Sequence, residues 1–93
     1  MITSIYDNSD PETVQRKAFD LLGPWAQIYF STRKNKKYMI WDGSRFVHFG
    51  EAGMTDYTKH KDESRREKFL KRNHKWGEAE VLTPAWLSYY ILW

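Results

Sequence analysis

The chain has 93 residues, no cysteine and a formal net charge of +3, with a pI of about 9.2. That length makes one domain. The missing thiols exclude a disulfide scaffold and a thiolate zinc site, and they fit folding in a reducing, intracellular place. A surplus this small permits contact with nucleic acid without demanding it.

Rings are the unusual part of the composition. Five Trp, six Tyr and five Phe make sixteen aromatic side chains. A domain of this size buries only ~60–65% of its unfolded surface, and each buried ring removes roughly 150–250 Å² from water. That is more aromatic surface than one small core can hold, so part of it is expected to face a partner.

Residues 1–10 read as an extended lead-in. They carry neither the basic n-region nor the apolar h-region of a signal peptide, and no apolar run approaches the ~20 residues of a membrane span. Ser9-Asp10-Pro11-Glu12 then reads as a helix start, with a capping side chain, Pro in the first turn and an acid that complements the dipole. Val14, Ala18, Leu21 and Leu22 share one helical face. Gly23-Pro24 stops the helix, which is predicted at 11–22.

From Trp25 the period changes. Three short aromatic and β-branched runs predict a three-stranded antiparallel meander at 26–31, 37–41 and 45–49. Asp42-Gly43 between apolar runs is a hairpin signal, because both residues tolerate positive φ. Alternation puts Ile28 and Phe30 on one face, and likewise Met39 and Trp41. One face is expected to pack on the helices and the other to carry Tyr29, Tyr38 and Ile40. The loop Arg33-Lys34-Asn35-Lys36-Lys37 holds four cations in five residues. A solvated hairpin tip is the favoured reading, and a phosphate or acidic-surface contact through Arg33, Lys34 and Lys36 is the functional one.

From Lys59 to Lys75 there are eight Lys or Arg against three acids. Asp62 is the expected N-cap of a basic helix over 62–75, with Glu63 in its first turn and Glu67–Lys71 as an i,i+4 pair. Phe69, Leu70 and Trp76 give it a narrow apolar seam, so it lies on the surface with its basic side outward. Thr83-Pro84 starts a last helix, and AWLSYYILW is apolar nearly all round. Leaving Trp86, Leu87, Ile91 and Trp93 in water would forgo ~1.5–3 kcal/mol each.

Catalytic and metal signals are weak. His48, His60 and His74 show no ligand spacing, and the cations crowded around His60 and His74 would push their protons off. Asp56, Asp62 and Glu63 are better explained as loop and cap residues than as a hydrolytic pair. Gly50 and Gly53 lack the context of a phosphate loop, and no activated nucleophile is evident. The sequence implies no enzyme, cofactor, metal or small-molecule substrate.

The order His48-Phe49-Gly50, Asp56-Tyr57-Thr58-Lys59-His60-Lys61-Asp62, Arg65-Arg66, Leu70-Lys71-Arg72 with His74, then Thr83-Pro84-Ala85 and Leu92-Trp93 resembles a family of short uncharacterised proteins of large double-stranded DNA viruses, the algal, phycodnavirus-type ones especially. The resemblance spans residues 37–93. It carries no known activity, but it implies a viral setting and localisation in the virion.

The expected fold is therefore a small α+β single domain over 1–93: N-terminal helix, three-stranded antiparallel meander, basic helix and hydrophobic C-terminal helix. The expected function is that of a non-enzymatic structural protein, a minor capsid or capsid-associated component that binds larger coat proteins. Trp86, Tyr89, Tyr90 and Trp93 would be its anchors, with basic residues at the rim. The alternative is a nucleic-acid-binding accessory protein that places Arg65, Arg66, Lys68, Lys71 and Arg72 on phosphates.

Overall fold

The computed structural model describes residues 5–93, which form an α+β domain around one sheet. The lead-in expected for residues 1–10 lies partly outside the described residues; within them Ile5–Asn8 forms a helical turn, α1, instead of an extended strand. Helix α2, Pro11–Leu22, begins at Asp10 and ends at Gly23, whose φ of 111° is open to glycine and whose N–H donates to Phe19 O. Val14 and Ala18 are fully buried beneath it. Leu21 was expected on the same face but is exposed, while Leu22 beside it packs on the core.

Strands β1 (Ile28–Phe30), β2 (Lys36–Trp41) and β3 (Phe46–Glu51) form an antiparallel meander in the order β1-β2-β3. The β2–β3 connection is wider than a two-residue turn. Trp41 pairs with Phe46, and Asp42 Oδ1 accepts from the N–H groups of Ser44 and Arg45 at 2.8 Å each. This is an Asx turn closing a four-residue loop.

The faces of the sheet differ from the sequence reading. Tyr38, Ile40, Val47 and Phe49 are buried, and Ile28 lies on their side through its pairing with Ile40. Met39 and Trp41 share the opposite face with Tyr29, Phe46 and His48. Both alternating sets are apolar, so strand period alone does not say which one the helices cover.

Regular alternation ends at Lys37. Lys37 and Tyr38 are neighbours and both are buried. Gly50, beside Lys37 on β3, has φ +84°, and a Cβ there would stand 2.9 Å from Leu92 Cδ1. A glycine inside a strand marks this kind of close approach. It lets the C-terminal segment lie directly on the sheet.

Helical turn α3 (Tyr57–His60) leads into α4 (Glu63–Arg72), capped as expected by Asp62, which accepts from Ser64 N and Arg65 N. α4 stops at Arg72, short of the expected 75. A 3₁₀ turn at His74–Glu78 follows, where Gly77 packs against the Tyr89 ring. α5 (Pro84–Leu87), capped by Thr83, continues into a π-wound turn over Ser88–Leu92. In that winding Ile91, Leu92 and Trp93 are all buried. Trp93 stacks flat on Phe69, with centroids 4.1 Å apart and planes within 5°.

Candidate functional site

Polar groups buried under the sheet must be paired, and here they form one directed chain. Lys37 Nζ donates to Asp56 Oδ2 at 2.9 Å, with both side chains about 2% exposed. The Thr58 hydroxyl donates to Asp56 Oδ1 through a short bond. That uses the only Thr58 hydroxyl proton, so Ser9 Oγ donates to Thr58 Oγ1 (3.2 Å) and the Tyr38 hydroxyl donates to Ser9 Oγ (2.7 Å). Burial pushes the Tyr38 hydroxyl pKa far up, which keeps it a donor. Asn8 ties the same loop down: its carbonyl accepts from Asp56 N, and its side chain bonds Ala52 O and the Thr55 hydroxyl.

The HFG and DYTKHKD segments are thus largely architectural. Phe49 is core, Gly50 allows close packing, Asp56 and Thr58 hold the ion pair, and Asp62 caps α4. Tyr57 hydrogen-bonds Glu63 and lies under the Arg66 guanidinium, 5.3 Å from its ring centroid. His60 Nδ1 accepts from Asp62 N at 2.9 Å, so its hydrogen is on Nε2, which is buried and finds no partner among the described residues. Burial first, and Arg65 second, hold its pKa below the usual histidine value. No three His, Asp or Glu side chains among the described residues gather to hold a metal, and no helix there is long and apolar enough to cross a membrane.

The C-terminal anchors expected from sequence separate. Trp86 and Tyr89 are half-buried and Tyr90 is exposed, and the three rings touch in series with centroids 5.1 and 4.9 Å apart. Trp93 is not with them. It is 9% exposed and packs between Phe69 and His60.

The cations separate too. Arg66 Nε donates to Trp93 O at 2.8 Å, and Lys36 pairs with Glu51 at 3.1 Å. Arg33, Lys34, Arg65, Lys68, Lys71 and Arg72 are exposed and have no ion pair among the described residues. Arg65, Lys68 and Arg72 recur at i, i+3, i+7 on one side of α4.

An open ring surface lies on the outer sheet face, of which the sequence pattern indicates only Tyr29. Tyr29, Trp41 and Phe46 are 42–47% exposed. Phe46 sits edge-on to both others, with centroids 5.9 Å from Tyr29 and 5.2 Å from Trp41. At the other end of this face, Ser31 Oγ and His48 Nδ1 are 2.7 Å apart, and burial and nearby Arg33 lower the His48 pKa. The signal for this patch was the wide Asp42–Arg45 turn, which sets Trp41 opposite Phe46.

The model of a family described as "Family of unknown function (DUF5754)" matches residues 26–73. The chain belongs to this family. The DUF5754 span takes in the whole sheet, the Lys37–Asp56 pair and α4. No curated protein and no solved structure matches the chain.

Proposed function

We propose that this chain is a non-enzymatic accessory protein that works by binding a larger protein, with the outer face of its sheet as the contact. One observation carries this reading: nine of the sixteen rings are more than a third exposed, and three of these, Tyr29, Trp41 and Phe46, touch one another on a single face. Clustered exposed apolar surface marks interaction sites, and aromatic residues dominate binding hot spots. Tyr90, with Trp86 and Tyr89 behind it, offers a second, smaller contact. The viral resemblance sets the partner class: coat or minor capsid proteins of a large DNA virus. Mass spectrometry of purified particles tests it. The chain should be present at high copy, and a Trp41→Ser form should be lost from particles while remaining folded. Absence from particles, with abundance in infected cells, overturns the coat reading.

A second reading has its own support. Arg65, Lys68 and Arg72 lie along one side of α4 with no carboxylate partner among the described residues, which suits a phosphate backbone. Binding through phosphates should fall steeply between ~50 and 200 mM salt, whereas a ring-anchored protein contact should persist.

A further inference from the structure

A cleft of about 510 Å³ opens between the ends of β2 and β3, α4 and the π-wound turn. It is separate from the outer sheet face: none of Tyr29, Trp41 or Phe46 lines it. Its walls include Met54, Phe69, Trp76, Leu92 and Trp93, and its size falls in the ~300–1,000 Å³ range of small-ligand sites. Most of that wall is flat and apolar.

Its charged groups lean to the cationic side, beside the neutral Thr55, Asn73 and Ser88. Lys36, Lys37 and Arg72 line it against Glu51 and Asp56, three cations to two carboxylates. Both carboxylates are engaged, Glu51 by Lys36 and Asp56 by Lys37 and Thr58. Arg72 has no ion pair among the described residues. Lys37 is the decisive group. An ammonium carries three N–H donors, yet the bond to Asp56 is the one hydrogen bond that Lys37 Nζ gives among the described residues, although the side chain is 2% exposed. A buried cation with unused donors, in the wall of an apolar cleft, calls for an acceptor from outside the chain.

We infer that this cleft binds a small amphipathic anion: a flat apolar body seated among Phe69, Trp76 and Trp93, with a carboxylate or similar anionic head directed to Lys37 and Arg72. The inference is independent of the docking surface, and neither depends on the other.

The test is titration of the isotope-labelled full chain with 2-naphthoate and its neutral isostere 2-naphthamide, following tryptophan indole N–H signals by NMR. The naphthoate should shift Trp76 and Trp93, which line the cleft, and leave Trp25 and Trp41 unmoved. It should bind at least about tenfold tighter than the amide, the difference expected for one hydrogen bond to a charged group. Arg72→Ala should weaken binding several-fold and Ala85→Phe, which fills the cleft, should abolish it. Both variants leave the Lys37–Asp56 pair intact, and Lys75→Ala, outside the cleft, should bind as the parent does. Equal affinity for acid and amide, shifts confined to Trp25 and Trp41, binding untouched by Ala85→Phe, or no binding by either compound overturns the inference.

Discussion

The inner face of the sheet presents Tyr38, Ile40, Val47 and Phe49, and the outer face presents Tyr29, Met39, Trp41, Phe46 and His48. The two sets are similar in size and hydrophobicity. The first is covered by α2 and the C-terminal segment except at Phe30 on its β1 edge, which is half exposed, and the second is open. What separates them is polar: only the inner side has the chain from Tyr38 through Ser9 and Thr58 to Asp56 and Lys37. That chain, with the Asn8 and Asp10 bonds, joins residues 8–10 to residues 55–58 on the covered side. Position in the sheet, not residue type, decides whether a ring here is buried or left open.

The comparison can be broken hardest at Asp56. Asp56→Ala leaves the Lys37 ammonium buried without a counter-charge and should cost about 3–5 kcal/mol, enough to unfold much of a small domain. Denaturant titration followed by tryptophan fluorescence would read this directly. The neighbouring pair gives the contrast. Lys36–Glu51 has nearly the same length, but its side chains are 27% and 59% exposed, so Glu51→Ala should change stability by only ~0–1 kcal/mol. Equal losses from the two variants would remove burial as the distinguishing factor.

Gly50→Ala comes next. It forces an L side chain into φ +84° and pushes a Cβ towards Leu92. A loss of about 1–3 kcal/mol is expected, measured by thermal melting, and Leu92→Ala should not restore the parent value because the backbone conformation remains.

Acid should act on both sides of the sheet, through His60 beside α4 and His48 on the outer face. His60 has a lowered pKa in the folded chain, so between that value and the ordinary ~6.5 the unfolded chain binds more protons. Its contribution is complete above about pH 6.5 and is lost as pH falls through the folded pKa. His48 acts with the same sign. Melting temperature should therefore decline from pH 7 to pH 5, and His60→Gln should flatten that decline without abolishing it.

The smallest effect on stability belongs to the outer face. Trp41→Ser and Phe46→Ser should each change it by less than ~1 kcal/mol, since both rings are already wet. A large loss from either would show that the outer rings hold the fold rather than serve a partner.

Local chemistry was readable from the sequence. Pro11, Gly23, Asp62, Thr83 and the Asp42-Gly43 turn each act within a few residues of themselves, and all stand where expected. Choices made across the fold were not. Lys37 looked like one of four loop cations because its partner, Asp56, is nineteen residues away. The Met39–Trp41 set and the Tyr38–Ile40 set are both apolar, and which one is covered depends on where α2 and the C-terminal segment land. Trp93 read as an anchor for a partner because nothing near it in sequence announces the flat face of Phe69. The candidate cleft was invisible for the same reason, since its walls come from four separated parts of the chain.

The slack winding after Leu87 has a geometric consequence. In a regular α-helix each residue turns about 100° from the last, so three successive side chains cannot all point one way. Ile91, Leu92 and Trp93 are nonetheless all buried, because they meet different surfaces: Leu92 lies against Gly50 of β3 and Trp93 against Phe69 of α4. Deleting one residue from this turn would rewind it, carry Trp93 off Phe69 and free Arg66 from the carbonyl it holds, without changing the chemistry of any remaining side chain.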